Sequence, residues 1–393
     1  MAVKFTVRAT VVLGLISLLW LSGCTEEANS SWHIQTVDMG KAGSLLNLGY
    51  GGHYAGRASS LAIDGQCHPH ISYLYDEIDD WQSGPCYVKY AAWNGSGWGI
   101  QKVDGSTGDA HSTSLALDSR GHPHISYYAH RPRRVTYRGT RLRYVLKHAA
   151  WNGQSRSWDI QPVDSAIPVA SFASLVLDSN DYPHITYCGY SDLQKHYEFR
   201  VYSVKYAAWN GSSWDIQTVD GVGERPSLAL DSSGQPHISY TMNGDLKYAV
   251  CNGSSWDIQT VDTGHTFSVC LALNSGDHPY ISYERDDNLK HAAWNGSSWG
   301  IQTVDTGQIY SVSLALDGSD QPHISYRRNR ALKYAAYNGS SWDIETVDDT
   351  RSRSNSLALD SSGFAHISYG SDGNLKHATN APSYRGQTGT VAE

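Results

Sequence analysis

The chain has 393 residues, 17% charged and 40% hydrophobic, with 37 Gly, 13 Trp and 26 Tyr against only 5 Phe and 3 Met. That balance favours strands and tight turns and excludes an all-helical protein. A formal net charge of -8 excludes a general nucleic-acid binder, which needs a basic face for phosphates.

At the N-terminus, Lys4 and Arg8 precede an apolar stretch from Val11 to Leu21, which ends in Leu21-Ser22-Gly23-Cys24. A basic segment, a short apolar core and small residues are the parts of an export signal, and the run is too short for a comfortable membrane span. The Leu-Ser-Gly-Cys ending resembles the bacterial lipoprotein lipobox. The resemblance implies that residues 1–23 are removed and that Cys24 carries lipid, with residues 24–31 as anchor and polar tether. The expected location is extracytoplasmic, at a bacterial membrane or cell surface. The acyl chains hold it there through about 0.8 kcal/mol per buried methylene, without a spanning helix. Five further cysteines, Cys67, Cys86, Cys188, Cys251 and Cys270, are odd in number and lack metal-type spacing, so no disulfide framework is expected.

From Trp32 to Asn380 one pattern recurs: SLALD, a short turn, PHISY, a variable loop, LKYAAW, NGSS and WDIQTVD. Its closing element starts at Trp32, Trp98, Trp158, Trp214, Trp256, Trp299 and Trp342. PHISY is centred on His70, His124, His184, His237, Tyr280, His323 and His366, so both elements count seven. Each element is short, rich in β-branched and aromatic residues and bounded by Gly, Asn, Ser or Pro, as a strand is. The period of 43 residues in the last copies is that of a four-stranded propeller blade. The expectation is therefore an all-β fold. One seven-bladed β-propeller spans residues 32–380, with four antiparallel strands (a to d) per blade, and a polar tail follows at 381–393. The chain opens on a lone d element and ends on a, b and c, so the N-terminal strand should complete the last blade and close the ring. Asn-Gly between c and d, as at Asn210-Gly211, predicts a type I′ hairpin turn. The His of HISY and the Tyr or His of LKYA recur in almost every blade and are expected to serve blade packing.

The two faces of the disc differ. Between the Tyr of HISY and the Lys of LKYA, the b–c loop has six residues in blades 4 to 7 but 15, 19 and 17 in blades 1, 2 and 3. The first d–a loop has 22 residues between Asp38 and Leu61, against 7 to 10 elsewhere. Loops displayed on a rigid scaffold carry most binding and catalysis, which places the expected site on this face. The blade 1 loop offers Asp76, Asp79, Asp80 and Trp81. The blade 2 loop offers His130, Arg131, Arg133, Arg134, Tyr137 and Arg138, and blade 3 adds Tyr190, His196, Tyr197 and Arg200. Guanidinium forks suit a bidentate grip on carboxylate or sulfate, so the expected partner is an anionic glycan or an acidic protein. The acidic blade 1 loop could equally pair with the basic loop beside it. Four residues before the first Leu of strand a, at the channel mouth, stand Arg57, His111, Ser171, Glu224, Phe267, Tyr310 and Arg353. Arg57, Glu224 and Arg353 join the ligand-binding candidates on that ground. Ca2+ near Asp76, Asp79 and Asp80 is the weaker alternative to a solvated acidic turn, because the spacing is not that of a calcium loop. No other cofactor or metal is expected, and the chain is expected to be monomeric.

The repeat as a whole resembles bacterial and archaeal propellers of the sialidase-like, BNR-repeat type, which supports fold more than activity. The repeats lack the full Asp-box ending in Trp, and no Phe-Arg-Ile-Pro segment occurs, which argues against a sialidase proper. A narrower resemblance is to seven-bladed polysaccharide lyases acting on ulvan-like, uronate-containing glycans. It implies His111, His130, Tyr190 and Arg200 as catalytic residues for β-elimination. A His or Tyr would take the proton beside the carboxylate, Arg and neutral His would steady the developing charge, and Tyr would protonate the leaving oxygen. A protein-interaction scaffold is the third alternative.

Overall fold

The structure is a computed structural model and describes residues 32–40, 54–76, 86–105, 112–130, 144–165, 169–190, 202–253, 255–382 and 390–391. The described chain forms seven sheets, each an antiparallel meander in the order a, b, c, d. Blade 4 is typical, with strands Glu224–Leu230, Pro236–Met242, Asp245–Cys251 and Trp256–Asp262. The a strands neighbour one another around the ring and so form its inner wall. Ring closure is as the offset of the repeat implies: His33–Asp38 pairs antiparallel with Asn374–Thr379 and becomes strand d of blade 7. Two details differ from expectation. The c–d connection, four residues between Trp209 and Trp214 in blade 3, does not form a type I′ turn. Asn210 N donates to Ser213 O, the Asn210 side chain accepts from the backbone of Ser212 and Ser213, and only Gly211 has positive φ. The C-terminal tail also contributes a strand, Thr390–Val391, which pairs in parallel with Gly97–Trp98 at the outer edge of blade 1.

Three rings of side-chain contacts weld each blade to the next, and each uses a different letter of the repeat. The Trp opening strand d packs edge-on against the LKYA Tyr or His of the preceding blade. Tyr90–Trp158, Tyr206–Trp256 and Tyr248–Trp299 have centroids 5.5 Å apart, and Trp98–His377 and Trp32–Tyr334 repeat the contact across the closure. The Asp closing strand d accepts a hydrogen bond from the buried HISY Tyr of the following blade in all seven interfaces, from Tyr73 on Asp38 at 2.5 Å to Tyr127 on Asp104 at 2.8 Å. The SLALD Ser accepts the backbone N–H of the next strand a, as Ser60 does from Leu115 at 3.0 Å; in blade 5, Cys270 Sγ takes that place toward Leu314 at 3.3 Å. The small residues Ala91, Ala149, Ala207 and Ala249 are wholly buried, which lets adjacent sheets approach. Among the described cysteines Cys188, Cys251 and Cys270 are free, and Cys86 and Cys188 are buried.

On the short-turn face the repeat builds an arrangement that looks catalytic and is architectural. His237 lies between Asp231, 3.5 Å from Nε2, and the Tyr248 hydroxyl at Nδ1, and the same Asp–His–Tyr order recurs around His70, His184 and His323. Burial lowers the pKa of each of these histidines and pushes the tyrosines far up, so these groups stay neutral near pH 7. Four identical sets of this kind are blade packing.

Candidate functional site

At the opposite face, strand a of blades 1 and 3 to 7 begins with a bulge in which extra residues oppose the partner strand, for example between Glu224 and Ser227 and between Thr266 and Val269. Such bulges break the alternation of side chains and re-aim them. Ala58, Phe172, Arg225 and Ser311 reach left-handed φ values of 49°, 84°, 56° and 51° inside them. For Phe172 and Arg225 that conformation costs energy, which the neighbouring blades must hold in place.

The bulges present an alternating aromatic and cationic belt at the channel mouth. The Arg225 guanidinium of blade 4 lies 4.9 Å from the Phe172 ring of blade 3 and 5.8 Å from the Phe267 ring of blade 5. Phe267 is 55% exposed and Phe172 38%, so the sandwich faces solvent. In blade 6, Arg327 stacks 4.4 Å from the Tyr310 ring and donates to the Ser352 carbonyl at 3.4 Å. Burial, together with the charges of Arg351 and Arg353, holds the Arg327 pKa below its ordinary value, and its Nε is buried without a partner. Arg327 therefore stacks on a half-exposed tyrosine within reach of the charges of two further arginines.

A row of residues missed in the sequence supports the belt: the position just after the HISY Tyr. Tyr128 donates to Phe172 O at 2.9 Å, and Thr241 to Glu224 O at 3.3 Å. Glu284 accepts from Phe267 N at 3.1 Å, and Arg327 is its counterpart in blade 6. Glu284 is buried, which raises its pKa, while its two oxygens accept the backbone N–H groups of Phe267 and Asp287. The signal was available, since this is the position at which an otherwise regular repeat reads Leu74, Tyr128, Cys188, Thr241, Glu284, Arg327 and Gly370.

Glu224 and Arg353 both stand in the bulges of this belt. Arg57, His130 and Tyr190 have their backbones on the strands Tyr54–Ile63, Pro123–His130 and Pro183–Tyr190, the last two at the strand ends on this same face, but their side chains lie outside the described residues. Cys24, Asp79, Asp80, Trp81, His111, Arg131, Arg133, Arg134, Tyr137, Arg138, His196, Tyr197 and Arg200 lie outside the described residues altogether. Asp76 is buried at the end of its strand. Among the described residues no cluster of three or more His, Cys, Asp or Glu is placed to hold a metal, and no helix is long and apolar enough to cross a membrane.

No protein-family model matches the sequence, and no curated protein matches it either. Solved structures do. AofleA from Arthrobotrys oligospora aligns at 12% identity and TM-score 0.50 over 81% of this chain and 90% of that one. The Dos1 propeller aligns at 7% identity and TM-score 0.52 over 92% and 95%. The NanB sialidase from Streptococcus pneumoniae aligns at 10% identity and TM-score 0.45 over 84% and 69%. At these identities the likeness is one of fold alone, that of a β-propeller.

Proposed function

We propose that the protein binds an anionic polysaccharide, or a ligand of similar chemistry, on its loop-rich face while a lipid on Cys24 holds it at a membrane surface. The observation that carries this is Arg327 stacked on Tyr310 at the channel mouth, within reach of the charges of Arg351 and Arg353, in a chain whose formal charge is -8. Planar guanidinium groups grip carboxylate or sulfate in two hydrogen bonds, and aromatic rings cover the apolar face of a sugar. The arginines of the blade 2 loop, from Arg131 to Arg143, would extend the same surface across the ring.

β-Elimination at this face is the alternative, favoured by the strand ends of His130 and Tyr190, which bring two candidate proton-transfer groups to the same side of the disc. One experiment separates the two. The full chain in detergent is mixed with uronic-acid and sulfated polysaccharides while binding and absorbance of an unsaturated product are followed together. Binding that weakens in Arg327→Ala without rising absorbance makes it a receptor, and rising absorbance abolished in His130→Ala makes it a lyase. Silence in both channels overturns the carbohydrate assignment in favour of a protein scaffold.

A further inference from the structure

Beside the channel mouth lies a cleft of about 370 Å3 that none of the anion-binding arginines of blades 6 and 7 lines. Glu224 and Arg225 bound it from blade 4, Asn243 caps it from the b–c turn of the same blade, and Thr266 and Phe267 close it from blade 5. Its walls are fixed by backbone. Thr266 N donates to Gly244 O at 2.9 Å and Gly223 N to Tyr202 O at 2.7 Å, joining blades 3, 4 and 5 around the opening. A Cβ on Gly223 would come within 2.6 Å of Val204 and 2.8 Å of Tyr240, so this wall has no room to shift.

The chemistry of the lining is specific. Glu224 supplies an acceptor and Arg225 a planar set of donors held between two phenyl rings, and their charges cancel within the cleft. Asn243 offers both donor and acceptor. Thr266 contributes to the wall and is 4% exposed, its hydroxyl buried without a hydrogen-bond partner. Phe267, at 55% exposure, lays an apolar ring along one side. A carboxylate and a guanidinium lining one cleft suit two hydroxyls of one sugar, one donating and one accepting, and an exposed ring matches a face of C–H groups. The volume falls in the range of small-molecule sites and takes one ring.

We propose that this cleft is a subsite for a single neutral hexopyranose residue, two of its hydroxyls on Glu224 and Arg225 and its apolar face on Phe267. It rests on the glycan-binding role proposed above and adds a neutral sugar to an otherwise anionic ligand. Saturation-transfer NMR with the full chain in detergent tests it, using the methyl glycosides of glucose, galactose, mannose and fucose, with binding of a sulfated polysaccharide recorded in parallel. Saturation transfer to at least one glycoside is expected. The expected weakening is tenfold or more in both Glu224→Gln and Phe267→Ala, with the unfolding midpoint of each variant unchanged. Removing either of those two hydroxyls from the responding glycoside should abolish the signal. If no glycoside responds while the sulfated polysaccharide still binds, the neutral subsite is overturned and the anion site stands. Signals that survive in both variants place the sugar elsewhere and equally overturn it. Loss of both classes of ligand removes the glycan role itself.

Discussion

The guanidinium carbon of Arg225 sits 4.9 Å from the centre of the Phe172 ring, although the two residues belong to different blades and both adopt left-handed backbone conformations. Both stand in the bulges at the strand starts, which set their backbones at the channel mouth. An exposed cation–aromatic contact is worth about 0.5–1 kcal/mol. Phe172→Ala should therefore lower thermal stability by no more than a few degrees, yet weaken ligand binding several-fold because Arg225 loses its fixed orientation. Parallel melting and binding curves check this, and equal losses in both would make Phe172 merely structural.

Arg327 tests the anion site. Arg327→Ala removes both the stack on Tyr310 and the bond to Ser352 O, and should weaken binding of a sulfated polysaccharide by tenfold or more. Arg327→Lys keeps the charge without the planar fork and should fall between the two. Titrations at several salt concentrations should show a shallower salt dependence for the Ala variant.

Acid should destabilise the ring. His148, His291 and His377 are buried in the LKYA position; burial lowers the pKa of His148 to about 3 and of His291 to about 4, and that of His377 well below its ordinary value. The unfolded chain protonates these groups near pH 6.5 while the folded chain does not. Stability is then full above that pH and is lost as pH falls from 6.5 toward 4. Below about 3.8, Asp348, whose hydrogen bonds lower its pKa to about 2, adds a further loss. Unfolding midpoints at pH 7.5 and 4.5 should differ by several degrees or more. His148→Tyr installs the residue that blades 1, 3, 4 and 6 carry there, as Tyr90, Tyr206, Tyr248 and Tyr334, and should shrink the difference.

Each interface repeats one charged hydrogen bond, so its worth can be measured in any blade. Tyr240→Phe removes the bond to Asp220 at 2.7 Å and should cost about 1.5–3 kcal/mol, read from denaturant unfolding. By contrast, Tyr248→Phe on the other face should lower stability while leaving ligand binding intact, since the Asp231–His237–Tyr248 set is packing.

Closure is the remaining weak point, because strand d of blade 7 is joined to its sheet only by noncovalent contacts. Trp32 donates to Glu345 at 3.0 Å and packs on Tyr334, while Asp38 accepts from both Tyr73 and Lys89. Deleting residues 32–40 should expose the edge of Asn374–Thr379 and lower the unfolding midpoint by more than ten degrees, with concentration-dependent association visible in light scattering.

Strand identity, blade number and closure were legible in the chain alone, because each depends on a local pattern that recurs at fixed spacing: Trp32 and Trp342 announce the same strand wherever the blade lies. The length of the c–d loop was legible too but not its conformation, since Asn210 takes its hydrogen bonds through its side chain and needs no positive φ of its own. The period put Glu224, Phe267, Tyr310 and Arg353 at the channel mouth, but it could not show which side chains meet there. Phe172, Arg225 and Phe267 stand in three blades, and only the bulges that break the register turn them toward one another. The repeat determined what must be the same in every blade. The closed ring decided which of the differing residues meet, because side chains far apart in sequence become neighbours only where the strand starts converge on the channel.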